Sequence, residues 1–170
     1  MAADKAAKVV FALKTYARYD RIGKKLKVSL TEGIDTVLTL YHNQLKHGID
    51  VIRNYQEPLP MVMCYPDELI QVWSNLIYNS IQAIEEVGTL TIDVVAQEKK
   101  IEVSITDTGA GINPEILPHI FEPFFTTKPS GEGSGLGLDI VKKIIKKHSG
   151  DIEVISERWT TCFKISLPIE

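Results

Sequence analysis

An α+β fold is predicted, with a mixed β-sheet covered on one face by helices in a two-layer sandwich. Two observations carry this. Amphipathic helical patterns are mixed along the chain with short strand-like runs, and those runs are mostly linked as hairpins. A third sets the scale: 44% of the 170 residues are hydrophobic and 24% charged, ordinary composition for one domain with a core. An N-terminal helical segment over 1–24 would precede the main domain at 25–170.

The elements are justified in order. Ala6, Val9, Val10, Leu13, Tyr16 and Ala17 recur at helical spacing, so 3–21 reads as a helix that Gly23 ends. Residues 25–29 read as a short strand. Ile34, Val37, Leu38 and Tyr41 form one stripe of a second helix over 31–44. Gly48 breaks the chain, 49–55 alternates like a strand, and Pro58 and Pro60 mark a loop. Pro66 opens the clearest helix, with Asp67 and Glu68 complementing its positive start. That helix is expected to run to about Glu86 and to stop at Gly88. Two strands, 89–96 and 100–106, flank the polar turn Gln97-Glu98-Lys99. A helix over 136–148 closes at Gly150 in the C′ role, and 152–156 with 161–167 forms a last hairpin. Residues 107–134 are rich in Gly, Pro, Thr and Ser, with one short helical piece at 114–119. A loop this long inside a compact domain reads as a functional lid.

Composition excludes several functions. The net charge of −3, from 19 basic and 22 acidic residues, argues against a general nucleic-acid binder. Apolar runs such as Met61-Val62-Met63-Cys64-Tyr65 fall far short of the roughly 18–20 residues of a membrane span. The start MAADKAAK has no apolar stretch behind it. A cytoplasmic location is expected, without direct membrane contact in this segment and with a membrane anchor upstream left open. Cys64 and Cys162 stand alone in their segments, with no CxxC or Cys/His cluster. They are expected to be buried reduced thiols rather than zinc ligands.

Four segments carry chemistry. On the helix after Pro66 the apolar stripe is Leu69, Val72, Trp73, Leu76, Ile77 and Ile84, and Asn75, Asn79, Gln82 and Glu86 fall on the opposite side. Such a face is often simply solvated. Asn, however, is a poor helix-interior residue, and two Asn one turn apart offer amide oxygens to a hard cation such as Mg²⁺. Next, the strand ending in Asp107 runs into Thr108-Gly109-Ala110-Gly111-Ile112. This is either an ordinary strand-end turn or an aspartate that accepts a hydrogen bond from a ligand amino group, with glycines that let backbone approach a flat ring. Glycines at 131, 133, 135 and 137 alternate into the helix at Leu136, where backbone N–H groups and the helix dipole would receive phosphate. No GK[ST] follows, and no βαβ unit surrounds the run, so neither a Walker loop nor a dinucleotide fingerprint is present. Finally, Phe121, Phe124 and Phe125 need an apolar place in a polar lid, and Lys128 could reach a phosphate as a point charge.

Asn75-Leu76-Ile77-Tyr78-Asn79-Ser80, Asp107-Thr108-Gly109-Ala110-Gly111, Phe121-Glu122-Pro123-Phe124-Phe125 and Gly133-Ser134-Gly135-Leu136-Gly137-Leu138 resemble, in order and spacing, the N, G1, F and G2 boxes. These belong to the catalytic ATP-binding domain of sensor histidine kinases, in the Bergerat-fold ATPase superfamily. The resemblance covers about residues 26–168, and the helix expected within 1–24 resembles the end of the dimerisation hairpin that precedes such domains. It implies ATP and Mg²⁺ as cofactors. It implies Asn79 as the Mg²⁺ ligand with Asn75 nearby, Asp107 on the adenine amino group, and Gly109, Gly111 and Ile112 near the base. Gly133, Ser134, Gly135, Leu136 and Gly137 would border the phosphates, and 113–134, with Thr126, Thr127 and Lys128, would form the lid. The implied partners are a phosphoacceptor histidine hairpin, upstream or in trans, and a response regulator receiver domain, with the full protein a homodimer.

Two departures qualify the resemblance. Relatives that hydrolyse ATP with water carry Glu where this chain has Asn75, and an amide cannot take a proton from water. Poor ATPase activity in isolation is therefore expected. None of His42, His47, His119 and His148 has the context of a phosphoacceptor. An anti-sigma-type serine kinase of the same fold is the alternative, against which Asn75 and the Phe-rich segment both count. A nucleotide sensor without catalysis is a third reading.

Overall fold

The computed structural model describes residues 23–127, 135 and 137–169. The helix expected over 3–21, and Lys128, Gly133, Ser134 and Leu136, lie outside the described residues. The described chain runs β1 (Leu26–Val28), α1 (Leu30–Leu40), α2 (His42–Leu45), β2 (Ile49–Tyr55), β3 (Val62–Cys64), α3 (Pro66–Ile84), β4 (Gly88–Ala96), β5 (Lys100–Asp107), α4 (Gly137–Lys147), β6 (Asp151–Glu157) and β7 (Thr160–Pro168). A single 3₁₀ turn, Leu117–His119, interrupts the described part of the long loop.

The main sheet has five strands in the order β2-β4-β5-β7-β6, and β1 pairs with β3 in a separate antiparallel ribbon. β2 and β4 are parallel, joined by the crossover that contains α3, and the other pairs are antiparallel. The sheet is mixed, as expected. Alternation fixes its inner face: Leu90, Ile92 and Val94 on β4, Ile101, Val103 and Ile105 on β5, and Phe163, Ile165 and Leu167 on β7 are buried. The helices cover that face with Ile34 and Val37 of α1, Val72, Trp73, Leu76 and Ile77 of α3, and Val141, Ile144 and Ile145 of α4. Every residue of the stripe predicted for α3 is buried. Truncating one of these large aliphatics to Ala would cost about 2–5 kcal/mol.

Three boundaries differ from expectation for local reasons. In the sequence β3 is no more than an apolar run, and it becomes a strand by pairing with β1. α3 stops at Glu85, which takes φ 62°, rather than at Gly88. Gly88 is needed for a close approach instead: a Cβ there would lie 2.7 Å from Thr108 Oγ1. α4 ends through Ser149 at φ 57°, not through Gly150. Gly150 N–H donates to Ile145 O at 2.9 Å and Ser149 N–H to Lys146 O at 2.9 Å, a Schellman closure with Ser149 at C′. A Cβ on Gly150 would meet Ser166 O at 2.3 Å.

Candidate functional site

Helix α3 organises the site. Asn75, Asn79 and Ala83 follow at four-residue spacing on one face, spanning about 12 Å of helix. Asn75, Asn79 and Gln82 are half-buried, so this face is not an open solvated surface. One end meets the start of α4: Asn75 Nδ2 donates to Gly137 O at 3.4 Å. The other end meets the loop after β5, where a Cβ on Gly109 would lie 2.5 Å from the Ala83 carbonyl. Ala110 N–H donates to Ala83 O at 3.3 Å. Two of the segments singled out in the sequence therefore bracket the third.

Asp107 ends β5 with 2% of its surface exposed. Its Oδ1 accepts from Gly109 N–H at 2.9 Å. Burial pushes its pKa up, opposed by the Gly109 N–H and the neighbouring Ser80 hydroxyl. Ser80, buried on α3, lies outside strict hydrogen-bond geometry to any described group, although it is close enough to favour the ionised carboxylate. Across the ladder Asp107 faces Thr161, which is also buried. A buried carboxylate of this kind favours a ligand that brings a donor to it.

The two loop glycines make room for protein backbone. Gly109 lies against α3, and Gly111, at φ 82°, would place a Cβ 2.3 Å from Glu157 O. Glycine at both positions is accounted for by these approaches alone. Ile112 is half-buried, and its N–H donates to Ser156 Oγ at 2.8 Å.

The described part of the long loop is anchored at Ile120, which is buried. Phe121 packs edge-on against Phe163 at 6.4 Å, with Lys142 Nζ 5.4 Å from its ring. Phe125 is half-buried with its ring 6.1 Å from His119, whose Nδ1 is 2.8 Å from Glu122 Oε1. Phe124 is 73% exposed at φ 64°. Two of the three phenylalanines thus find the apolar place they need. Gly135, at φ 68°, would set a Cβ 2.3 Å from the Phe124 carbonyl carbon, so this glycine lies against the Phe-rich segment. Thr126 and Thr127 are exposed.

The donor set is made of oxygen and suits a hard cation. No group of three or more His, Cys, Asp or Glu among the described residues could hold a metal. What the face offers is amide oxygen from Asn75 and Asn79, which suits Mg²⁺ held mainly by ligand phosphates and water.

His148 is buried, donating from Nδ1 to Ile144 O at 2.8 Å and accepting Tyr65 N–H on Nε2 at 3.0 Å. Burial holds its pKa below the usual histidine value. Cys64 is buried, with its thiol pushed up to about 11 by burial, while Cys162 is half-buried; both are free. Ser80, Ser156 and Thr161 were missed from the sequence because short hydroxyl residues carry no spacing signal.

Residues 64–170 match the family model described as "Histidine kinase-, DNA gyrase B-, and HSP90-like ATPase". The chain belongs to this ATPase family. Within it the likeness is to histidine kinases. The chain is 33% identical over 165 residues to the sensory histidine kinase/phosphatase NtrB of Rhizobium leguminosarum bv. phaseoli, covering 88% of this chain and 43% of that protein. It matches the catalytic domain of histidine kinase ThkA with TM-score 0.79 at 31% identity, covering 86% of this chain and 98% of that one. It also matches ThkA in complex with response regulator protein TrrA, with TM-score 0.77 at 26% identity, covering 99% and 49%. The chain spans less than half the length of the curated relatives it matches. The mixed sheet with one helical layer is the fold of this ATPase family, and no helix among the described residues is long and apolar enough to cross a membrane.

Proposed function

We propose that this chain is the ATP-binding catalytic domain of a two-component sensor histidine kinase, holding Mg-ATP for phosphoryl transfer to a histidine outside the chain. One observation carries the reading: a single face of α3 is closed at one end by Asn75 against Gly137 and at the other by Gly109 against Ala83, beside the buried Asp107. The separation of about 12 Å suits an adenine at the aspartate end and a triphosphate at the amide end. Asp107 accepts from the adenine amino group, and Gly109, Gly111 and Ile112 border the base. Asn79, with Asn75 beside it, offers amide oxygen to Mg²⁺, which when bound neutralises phosphate charge. Gly133, Ser134, Gly135, Leu136 and Gly137 would border the phosphates, and Thr126, Thr127 and Lys128 would belong to the lid.

In the transfer, a nitrogen of the acceptor imidazole bonds to the γ-phosphorus, the bond to the β,γ-bridging oxygen breaks, and ADP leaves. The protein contributes positioning and exclusion of water. Asn75 cannot serve as a base toward water, so ATP is kept for the imidazole rather than hydrolysed. The partners are a phosphoacceptor histidine hairpin, upstream or in trans, and a response regulator receiver domain, within a cytoplasmic catalytic region of a homodimer. The Phe-rich segment and the amide at position 75 favour this over a serine kinase of the anti-sigma type. The test is incubation with γ-labelled ATP and a separately supplied histidine hairpin. Acid-labile phosphohistidine on the hairpin is expected, with slow phosphate release in its absence. Rapid hydrolysis without transfer would refute the proposal.

A further inference from the structure

Inner-facing positions of β6 read Ile152, Val154 and Ser156, paired with buried Ile165, Phe163 and Thr161 of β7. The first two are apolar, as a core face requires. The third is a hydroxyl, and a polar group there needs partners. Ser156 Oγ has three. It accepts from Ile112 N–H at 2.8 Å, lies 2.9 Å from Thr161 Oγ1, and lies 3.2 Å from Thr160 O, to which it can donate. Ile112 sits in a loop with no strand partner for its N–H, so the serine supplies what a ladder would supply elsewhere. One residue earlier, Gly111 lies against the carbonyl of Glu157, the neighbour of Ser156. Two consecutive loop residues are thus fastened to two consecutive residues of β6.

The loop so fastened carries Gly109 against Ala83 and begins at Asp107. Its near end is fixed by the β5 ladder, since Asp107 pairs with Thr161. Its far end has Ser156. We infer that Ser156 is a positioning residue for the nucleotide base: by holding Ile112 and Gly111 on the hairpin, it sets where the loop beside Asp107 lies over the Ala83 face of α3. The inference rests on the proposed adenine-nucleotide reading. It assigns Ser156 no contact with ligand.

The test uses calorimetry of the whole chain with Mg-ATP and Mg-ITP, which carries an oxo group in place of the adenine amino group. The wild type should prefer ATP. In Ser156→Ala the loop loses one acceptor, worth about 1 kcal/mol, so ATP affinity should fall about fivefold. ITP affinity should move less, shrinking the preference. Ser156→Thr keeps the hydroxyl and should restore ATP affinity, whereas Glu153→Gln, on the exposed face of the same strand, should change nothing. Hydrogen exchange at the Ile112 amide should quicken in Ser156→Ala alone. Unchanged ATP affinity in Ser156→Ala would overturn the inference. So would equal losses for ATP and ITP, which would mark a general loosening of the fold. A wild type that binds no ATP would instead overturn the proposed function, and this inference with it.

Discussion

Replacing Asp107 by Asn separates a ligand-binding carboxylate from a structural one, because the two roles give opposite signs. In the free protein the carboxylate is buried, its pKa is raised by that burial, and one oxygen is held by Gly109 N–H. A folded-state pKa above the unfolded value means that the group favours folding below its ordinary value near 3.8, and that this contribution is lost as pH rises through the folded value. At neutral pH the buried charge therefore opposes folding. An Asn side chain keeps an oxygen for Gly109 N–H and can present its amide to the Ser80 hydroxyl. The unfolding free energy of the free variant should equal or exceed that of the wild type. Binding moves the other way. On the proposed reading the variant loses a charged acceptor for the adenine amino group, worth about 1.5–3 kcal/mol, or roughly 10–150-fold in affinity. Calorimetry at pH 7.5 measures the second quantity and urea unfolding the first. Lowering pH should weaken wild-type binding as Asp107 protonates through its raised pKa, while the variant should stay flat. Unchanged ATP affinity would remove Asp107 from the site. A loss of stability beyond about 1 kcal/mol, within the usual worth of a hydrogen bond, would make it a structural residue.

Other perturbations test neighbouring parts of the site. Asn79→Ala removes one amide oxygen from a half-buried position and should leave the circular dichroism spectrum intact. The Mg²⁺-dependent gain in ATP affinity should fall at least tenfold, about 1.4 kcal/mol; an undiminished gain would free Asn79 of the metal role. Gly109→Ala forces a methyl to within 2.5 Å of the Ala83 carbonyl. The loop and helix must part, at about 1–3 kcal/mol in chemical unfolding, together with a loss of ATP binding. His148 has a folded pKa below 6.5, so its contribution to stability is complete above pH 6.5 and is lost as pH falls through the folded value. The thermal midpoint should drop between pH 7 and pH 5, and His148→Asn should flatten that drop; a parallel decline in both proteins would place the acid sensitivity elsewhere.

Some of this was legible from the sequence and some was not, for reasons visible in particular residues. Helix α3 could be read because three signals agree over 19 residues: Pro66 at its start, acids in its first turn, and an apolar stripe that is buried throughout. The strands β4, β5 and β7 alternate cleanly because one face is buried, and period two survives in the sequence. β3 has three residues and exists only through its pairing with β1, so no local pattern announces it. The ends of α3 and α4 were misplaced because Glu85 and Ser149 adopt a positive φ that sequence reasoning assigns to glycine, while nearby Gly88 and Gly150 are fixed by contacts with residues remote in sequence. The same holds within the site. Asp107 and Asn79 stand out by residue type and position, but Ser80, Ser156 and Thr161 acquire their roles from partners 27, 44 and 54 residues away, respectively Asp107, Ile112 and Asp107.

The division of labour on α3 shows how packing would position the proposed recognition face. Leu69, Val72, Trp73, Leu76 and Ile77 lock one side of the helix onto the sheet, and dense packing permits little rotation. The other side is thereby held at a fixed height and angle. The elements that meet it are themselves anchored in the same core: β5 through Ile101, Val103 and Ile105, and α4 through Val141 and Ile145. The distance from Asn75 to Ala83 is then set by helix geometry, and the gap on either side by backbone-to-backbone contact at Gly109 and a single amide at Asn75. In the described part of the loop after Asp107, Ile120 and Phe121 also tie the chain to the core. A site built this way should keep its base and phosphate ends in register without ligand. Residues that alter the spacing, such as Gly109 and Ser156, should therefore affect binding more than exposed lid residues such as Thr127.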